Sequence, residues 1–245
     1  TGTEDDIMSK KTIAILFGGA SSEHYISCIS AHSILSNIDR NKYDIVAMGI
    51  TKNGEWYLYE DDIELLPDDK WLNGKKRKAY ITPDSSVGGI VTEDGETIKL
   101  DAVFPVLHGK NGEDGTVQGL LQLAQIPFVG CDAPSSGSCM DKAVTNAVAD
   151  AFGIDQAKWC SFTKYEYNKD TDSCIDNAEK KLGYPIFVKP ANAGSSVGIS
   201  KAHNREELKA GIDKALKEDK KVVLEEFIEG FEVELSLIHI SEPTR

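Results

Sequence analysis

Phe187-Val-Lys-Pro-Ala-Asn-Ala-Gly-Ser-Ser-Val-Gly-Ile199 is the stretch around which the rest of the chain is arranged. An apolar strand, Tyr184-Pro-Ile-Phe-Val, leads into it, places Lys189 at its end and is stopped by Pro190. The loop that follows carries Gly194, Ser195, Ser196 and Gly198. It offers unhindered backbone N–H groups and two hydroxyls beside a lysine, which suits the oxygens of a phosphate chain. An ordinary Gly/Ser hairpin turn with a solvated lysine is the competing reading. Neither GxxxxGK[ST] nor GxGxxG occurs, so the loop depends on its surroundings for meaning.

Upstream, two further strands end in glycine loops that open helices. Thr12-Ile-Ala-Ile-Leu-Phe has the continuous apolar character of a buried parallel strand. It runs into Gly18-Gly19-Ala-Ser-Ser-Glu23-His24 and a helix expected from Ser22 to about Ile38, with apolar positions taken at Ile26, Ile29, Ser30, Ser33, Ile34 and Ile38. Ala102-Val-Phe-Pro-Val-Leu repeats the pattern, ending at His108-Gly-Lys-Asn-Gly-Glu-Asp-Gly115 before a helix from Thr116 to about Gln125. Strand, glycine turn and helix put ligands at strand C-termini and helix N-termini, so the two loops are expected to face one cleft. Glu23, placed in the first helical turn, serves either the helix dipole or a ligand. His108 is a structural strand-end histidine or a ligand contact, with the two readings evenly balanced.

Between these units, Tyr43 to Ile50 reads as a strand, Asn53-Gly54 and Asp94-Gly95 as hairpin turns, and Lys75-Lys-Arg-Lys78 as a solvated surface segment. Pro127 to Gly130 reads as a short strand and Asp132 to Gly137 as a turn, with a domain boundary nearby. Lys142 opens a helix that runs to about Phe152. A lysine there opposes the dipole, which implies either a nearby anion or an exposed side chain. The remainder reads strand (Trp159 to Phe162), helix (Asp172 to Leu182), the central strand and loop, a helix capped by Asn204 and Glu207, and a strand at Val222 to Leu224.

Composition narrows the class. Hydrophobic residues make up 40% and charged residues 27% of 245, as in ordinary globular proteins. A net charge of -13 with no basic stripe argues against a nucleic-acid partner. No apolar run reaches membrane-spanning length and no signal peptide is expected, so the reading is a cytoplasmic protein with no membrane partner. Cys28, Cys131, Cys139, Cys160 and Cys174 include no CxxC pair and are read as reduced, mostly buried thiols without a zinc site. The segment Thr1 to Ile7 is read as disordered or added sequence ahead of Met8.

Five motifs in order, over Lys11 to about Glu234, resemble the D-alanine–D-alanine ligases of the ATP-grasp superfamily. They are Phe17-Gly-Gly-Ala-Ser-Ser-Glu-His24, His108-Gly-Lys-Asn-Gly-Glu-Asp-Gly115, Met140-Asp-Lys142, Val188-Lys-Pro with Gly-Ser-Ser-Val-Gly198, and Glu225 with Gly230-Phe-Glu232. The region Asp101 to Cys139, with Lys110, Cys131 and Cys139, looks more like the D-Ala–D-lactate or D-Ala–D-serine ligases linked to glycopeptide resistance.

The resemblance implies an α/β fold. A Rossmann-like N-terminal substrate domain (11–134) follows a disordered or added segment (1–10) and precedes an ATP-grasp central α+β domain (135–224). The start of a C-terminal ATP-grasp domain occupies 225–245. It implies that Glu23 holds the ammonium of the first D-alanine, with His108 lining the same site. Lys142 and Lys189 would neutralise phosphates. Ser195 and Ser196 would belong to the closing loop, with Ser195 also linked to Glu23. Glu225 and the backbone at Phe227 and Ile228 would meet adenine, and Glu232 the ribose. The implied reaction is phosphorylation of a carboxylate by ATP with Mg2+, then attack on the acyl phosphate by a second amino or hydroxy acid.

Family members continue beyond this chain's length, and Ser236 to Arg245 is unlike their continuing strand. The expectation is therefore a truncated chain, with the magnesium ligands beyond it, that is weakly active or inactive. The full-length family would be a homodimer. The alternatives are a non-catalytic ATP- and amino-acid-binding module and another ATP-grasp carboxylate–amine ligase.

Overall fold

The computed structural model describes residues 10–194, 197–231 and 233. Ser195, Ser196 and Glu232, together with Thr1 to Ile7 and Ser236 to Arg245, lie outside the described residues. Two sheets carry the fold, each drawing its strands from one half of the chain.

The first sheet contains β1 (Lys11–Gly18), β2 (Tyr43–Ile50), β3 (Trp56–Tyr59), β4 (Lys76–Ile81), β5 (Gly89–Thr92), β6 (Thr97–Lys99) and β7 (Ala102–Pro105), in the order β6-β5-β4-β3-β2-β1-β7. β1 runs parallel to β2 and β7, and the strands from β2 to β6 form an antiparallel meander. Alternation along β1 feeds two cores. Ala14 and Leu16 pack with Val117 and Leu121 of α2 (Thr116–Leu123). Ile15 and Phe17 pack on the opposite face with Cys28, Ala31 and Leu35 of α1 (His24–Asn37) and with Trp71.

The helices α3 (Ala133–Met140) and α4 (Lys142–Ala151) lead to the second sheet. It contains β8 (Trp159–Thr163), β9 (Ile186–Pro190), β10 (Ser200–Ala202) and β11 (Lys221–Glu226), in the order β10-β9-β11-β8 and antiparallel throughout. After β8 come α5 (Lys164–Lys169) and α6 (Thr171–Leu182), and α7 (Arg205–Glu218) follows β10. Ile175, Ala178 and Leu182 of α6 and Leu208, Ile212, Ala215 and Leu216 of α7 cover one face, against Ile186, Val188, Val222 and Leu224. Arg205 joins the two helices by binding Asp172, Asp176 and Glu179.

Several local expectations differ from what is observed. The inner face of α1 is His24, Ser27, Cys28, Ala31 and Leu35, while Ile26 (51% exposed) and Ile29 (41%) face outward. Small and polar residues pack there because β1 comes close, and Ser27 Oγ both accepts from the Gly18 N–H and donates to the Val106 carbonyl. The turn-like segment 132–137 is the start of α3, capped by Asp132, whose side chain accepts from the Ser135 N–H, with proline in the first turn. α5 was not expected; a complete capping box between Thr163 and Glu166 starts it. The basic run enters β4, where Arg77 binds Glu60, Asp94 and Glu96. Residues 127–130 contribute only a parallel bridge, Val103 to Phe128. Of the five free thiols only Cys28 is buried; Cys160 and Cys174 are half-buried and Cys131 and Cys139 exposed.

Candidate active site

β1 ends in two residues that only glycine fits. Gly18 and Gly19 have φ of 83° and 100°, and a Cβ on Gly18 would lie 2.2 Å from the Ile50 carbonyl oxygen. The turn then reaches Ser21, whose hydroxyl accepts from the Glu23 N–H (3.1 Å) and donates to the His108 carbonyl (2.8 Å). One serine thus ties the loop after β1 to the loop after β7, and the two loops share a cleft.

Glu23 occupies the N-cap position rather than the first helical turn, and its side chain makes no cap bond. Its carboxylate is instead enclosed by glycines from both halves of the chain. A Cβ on Gly109 would lie 2.2 Å from Oε2, and one on Gly194 would lie 3.0 Å from it. A cavity of about 390 Å³ opens here, lined by Ser21, Ser22, Glu23, Lys110, Asn192 and Gly194 among others. His108 lines two neighbouring cavities rather than this one, with Nε2 3.1 Å from Ser30 Oγ and Nδ1 3.9 Å from Glu113 Oε1. The loop's carboxylates are committed to its own backbone. Glu113 accepts from the Gly109 N–H (2.7 Å), and Asp114 from Asn111 (2.8 Å) and Thr116 (3.0 Å).

The second group of residues stands on the face of the second sheet turned away from α6 and α7. Period-two alternation on β9 and β11 sends Val188, Val222 and Leu224 to the core, so Lys189 and Glu225 emerge together on the other side. Lys189 Nζ lies 2.5 Å from Glu225 Oε2, and Asn146 Nδ2 donates to Glu225 Oε1 at 3.3 Å. Lys142 is half-buried, not solvated. Its ammonium donates to the carbonyls of Ala193 (2.7 Å) and Ala191 (3.5 Å), where the glycine/serine loop begins. Burial pulls its pKa below the usual lysine range, and the neighbouring charge of Lys189 adds to that, against Glu225, Asp219 and Asp141. The dipole conflict is resolved locally. Asp141 caps α4 through the Ala143 and Val144 N–H groups and also pairs with Lys221.

Phe227 has its ring centre 6.0 Å from that of Phe187, with Lys201 Nζ 3.5 Å from the Phe227 ring centre. Its N–H donates to the Pro185 carbonyl at 3.2 Å, and Ile228 beside it is exposed. The fold therefore links the Glu23 and His108 backbones through Ser21, with their side chains on different cavities, and groups Lys142, Lys189, Glu225 and Phe227 on the second sheet, while the Ala191 to Gly194 segment touches both Lys142 and Glu23. Asn146 was not anticipated, although it follows Lys142 by four residues on one helix and so shares its face.

Two models of known families match the chain: the D-ala D-ala ligase N-terminus over residues 12–131 and the D-ala D-ala ligase C-terminus over residues 148–244. The chain belongs to the D-alanine–D-alanine ligase family. D-alanine–D-alanine ligases of Acetivibrio thermocellus and Caldicellulosiruptor bescii are 43% and 46% identical to it, over 96% of this chain and 66% of theirs. The chain thus spans 66% of the length of these curated ligases. Among solved structures, the VanG D-Ala:D-Ser ligase from Enterococcus faecalis has a TM-score of 0.84 at 42% identity, covering 91% of this chain and 64% of that one. The D-alanine–D-alanine ligase from Coxiella burnetii has a TM-score of 0.79 at 33% identity, covering 90% and 65%. These ligases share the ATP-grasp fold expected from the motifs. Relatives of both D-Ala–D-Ala and D-Ala:D-Ser description thus lie at similar identity.

Among the described residues, one group of possible metal donors, His24, Cys28 and Asp69, lies within 4.8 Å. It does not suit a metal. Burial, with Asp69 adding to it, pushes the Cys28 thiol up to about 12, and both ring nitrogens of His24 already have partners. Near the two lysines the carboxylates are also engaged, Glu225 with Lys189 and Asp141 with Lys221, and they form no magnesium site. No helix among the described residues is long and apolar enough to cross a membrane.

Proposed function

We propose that this cleft serves an ATP-dependent ligase that joins D-alanine to a second D-alanine, or to a related D-amino or hydroxy acid, through an acyl phosphate, for peptidoglycan precursors. One observation carries the reading. The Glu23 carboxylate lies against Gly109 of the substrate loop and Gly194 of the loop whose carbonyls Lys142 holds.

In this reading Glu23 receives the ammonium of the first D-alanine and His108 lines the neighbouring cavities. Lys142 and Lys189 draw in the phosphates, because two half-buried ammonium groups with one carboxylate between them favour an anion. ATP supplies the phosphoryl group that makes a carboxylate electrophilic. Glu225, Phe227 and Ile228 meet the base. Ser195, Ser196 and Glu232 belong to the same reading through their motifs. The division into a substrate domain (11–134) and a nucleotide domain (135–224) is supported by the separation into two sheets, although its bounds cut α3 and β11. Small cytoplasmic substrates and, for the full-length family, a homodimer belong to the same proposal. Mg2+ belongs to it as well.

The test is ADP release by the purified chain with ATP, magnesium and D-alanine, beside a Lys189→Ala control. D-alanine-dependent release that is abolished in the control supports the ligase reading. Among the described residues, the commitment of Glu225 to Lys189 and of Asp141 to Lys221 favours a second reading, a nucleotide- and amino-acid-binding module without turnover. That reading predicts saturable binding of both ligands and no release. Soluble, folded protein that binds neither ligand contradicts both.

A further inference from the structure

Behind the turn that carries Glu23 lies a buried charged cluster with no part in the chemistry above. His24 opens α1 and is 1% exposed. Its Nδ1 lies 2.8 Å from the Gly19 carbonyl oxygen and its Nε2 lies 3.0 Å from Asp69 Oδ1. A carbonyl oxygen only accepts, so Nδ1 carries a proton. Burial alone would raise the Asp69 carboxyl, but hydrogen bonds from Lys52 and His24, with their charges, outweigh it and hold it below the usual carboxylate range. An ionised carboxylate also only accepts, so a hydrogen bond at Nε2 as well requires a proton there. A neutral ring would aim a lone pair at an oxygen at one end or the other.

Asp69 is itself fixed. Its backbone is left-handed at φ 58°, Trp71 Nε1 donates to Oδ1 at 2.9 Å, and Lys52 Nζ donates to Oδ2 at 2.9 Å. Trp71 is fully buried against Phe17. Cys28, one turn along α1, is the remaining titratable group of the cluster and stays a thiol.

The geometry points to His24 as a positioning residue, a two-donor imidazolium strap that ties the Gly19 carbonyl to Asp69 and so fixes Glu23 between Gly109 and Gly194. The strap follows from the cluster alone. Its consequence for substrate rests on the proposal that Glu23 holds the D-alanine ammonium.

The test uses the whole chain and Asp69→Asn, which leaves His24 in place and avoids a hole in the core. Nitrogen NMR of the histidine rings should show both His24 nitrogens protonated at neutral pH in the parent and one in Asp69→Asn. Hydrogen exchange at the His24 and Ser27 amides, which bond to the Ser21 and Glu23 carbonyls, should be about tenfold faster in the variant, with β1 and β2 unchanged. D-alanine affinity should fall about tenfold while ATP affinity holds. A singly protonated His24 in the parent overturns the strap. So does exchange that rises equally throughout β1, which marks a merely structural role. Loss of D-alanine binding in Glu23→Gln but none in Asp69→Asn overturns the positioning role. Unchanged D-alanine binding in Glu23→Gln instead defeats the proposed substrate role of Glu23, while the ring and exchange measurements still decide the strap.

Discussion

The two sheets use their faces differently. In the first, β1 sends Ala14 and Leu16 to one core and Ile15 and Phe17 to another, so both faces are covered and polar groups gather at the strand ends. In the second, α6 and α7 cover one face, while the other meets α4 through Ala143 and Asn146. That other face carries Lys189 and Glu225, with a small patch of Ala143, Ala191, Val223 and Trp159. A doubly covered parallel strand presents its chemistry where it ends, on loops that need glycine. An antiparallel sheet covered on one side presents chemistry along the strand itself, on alternate residues. The candidate site is the meeting of the two, with Glu23 from the first kind of wall and the lysines from the second.

The largest expected effect lies in the doubly covered sheet. Trp71 is fully buried, with its ring centre 5.0 Å from that of Phe17 and 6.1 Å from that of Tyr59. Trp71→Ala should cost about 3–5 kcal/mol in urea unfolding. A cost below about 1 kcal/mol would mean that this face is not the tightly packed one.

Gly109→Ala comes next, because φ is 71° and the added carbon would lie 2.2 Å from Glu23 Oε2. It should destabilise the chain by about 1–3 kcal/mol and abolish D-alanine binding measured by calorimetry. Unaltered binding would remove Glu23 from the substrate wall.

Asp141 sharpens the account of the open face. Burial alone would raise its carboxyl, but Lys221 and the Val144 and Ala143 N–H groups outweigh that and hold it low. A carboxyl depressed by folding stabilises the protein above its unfolded value and loses that contribution as pH falls through the folded one. The parent should therefore lose stability below about pH 4 more steeply than Asp141→Asn. Parallel acid-melting curves would show that the Asp141–Lys221 pair contributes nothing.

The smallest effect concerns two exposed aromatic side chains. Phe152 is 79% exposed and Phe231 88%. Replacing both by serine should change stability by no more than about 0.5 kcal/mol and reduce self-association in light scattering. A large loss of stability would show that these side chains are buried in solution.

What the sequence made legible follows the same division. Continuous apolar runs ending in glycine identified β1 and β7, and the position of Lys189 at the end of Tyr184-Pro-Ile-Phe-Val placed it correctly. Asn204 and Glu207 marked the start of α7 correctly, although Glu207 reaches the His203 N–H and the Asn204 amide rather than the Asn204 backbone. Of the apolar positions expected along α1, Ile34 and Ile38 pack against the core as their character suggests, while Ile26 and Ile29 face outward because the close approach of β1 selects small residues. α3 was hidden by Asp-Ala-Pro-Ser-Ser-Gly, a turn-like composition that here is a cap, a first-turn proline and weak helix formers. The commitment of Lys142 to the Ala191 and Ala193 carbonyls joins residues about fifty positions apart, and no local pattern announces it. The Arg77 cluster is similar, since its acids arrive from just after β3 and from the β5–β6 turn.

The measurement that bears most directly on the central claim, that the open face of the second sheet is a nucleotide site, is calorimetric titration of ATP into the chain and into Lys189→Ala, with unfolding curves for both. The account predicts saturable binding by the parent and at least about tenfold weaker binding by the variant, since a charge-assisted contact to phosphate is lost while the fold is retained. Equal affinity in two well-folded proteins would contradict it and move the nucleotide away from this face.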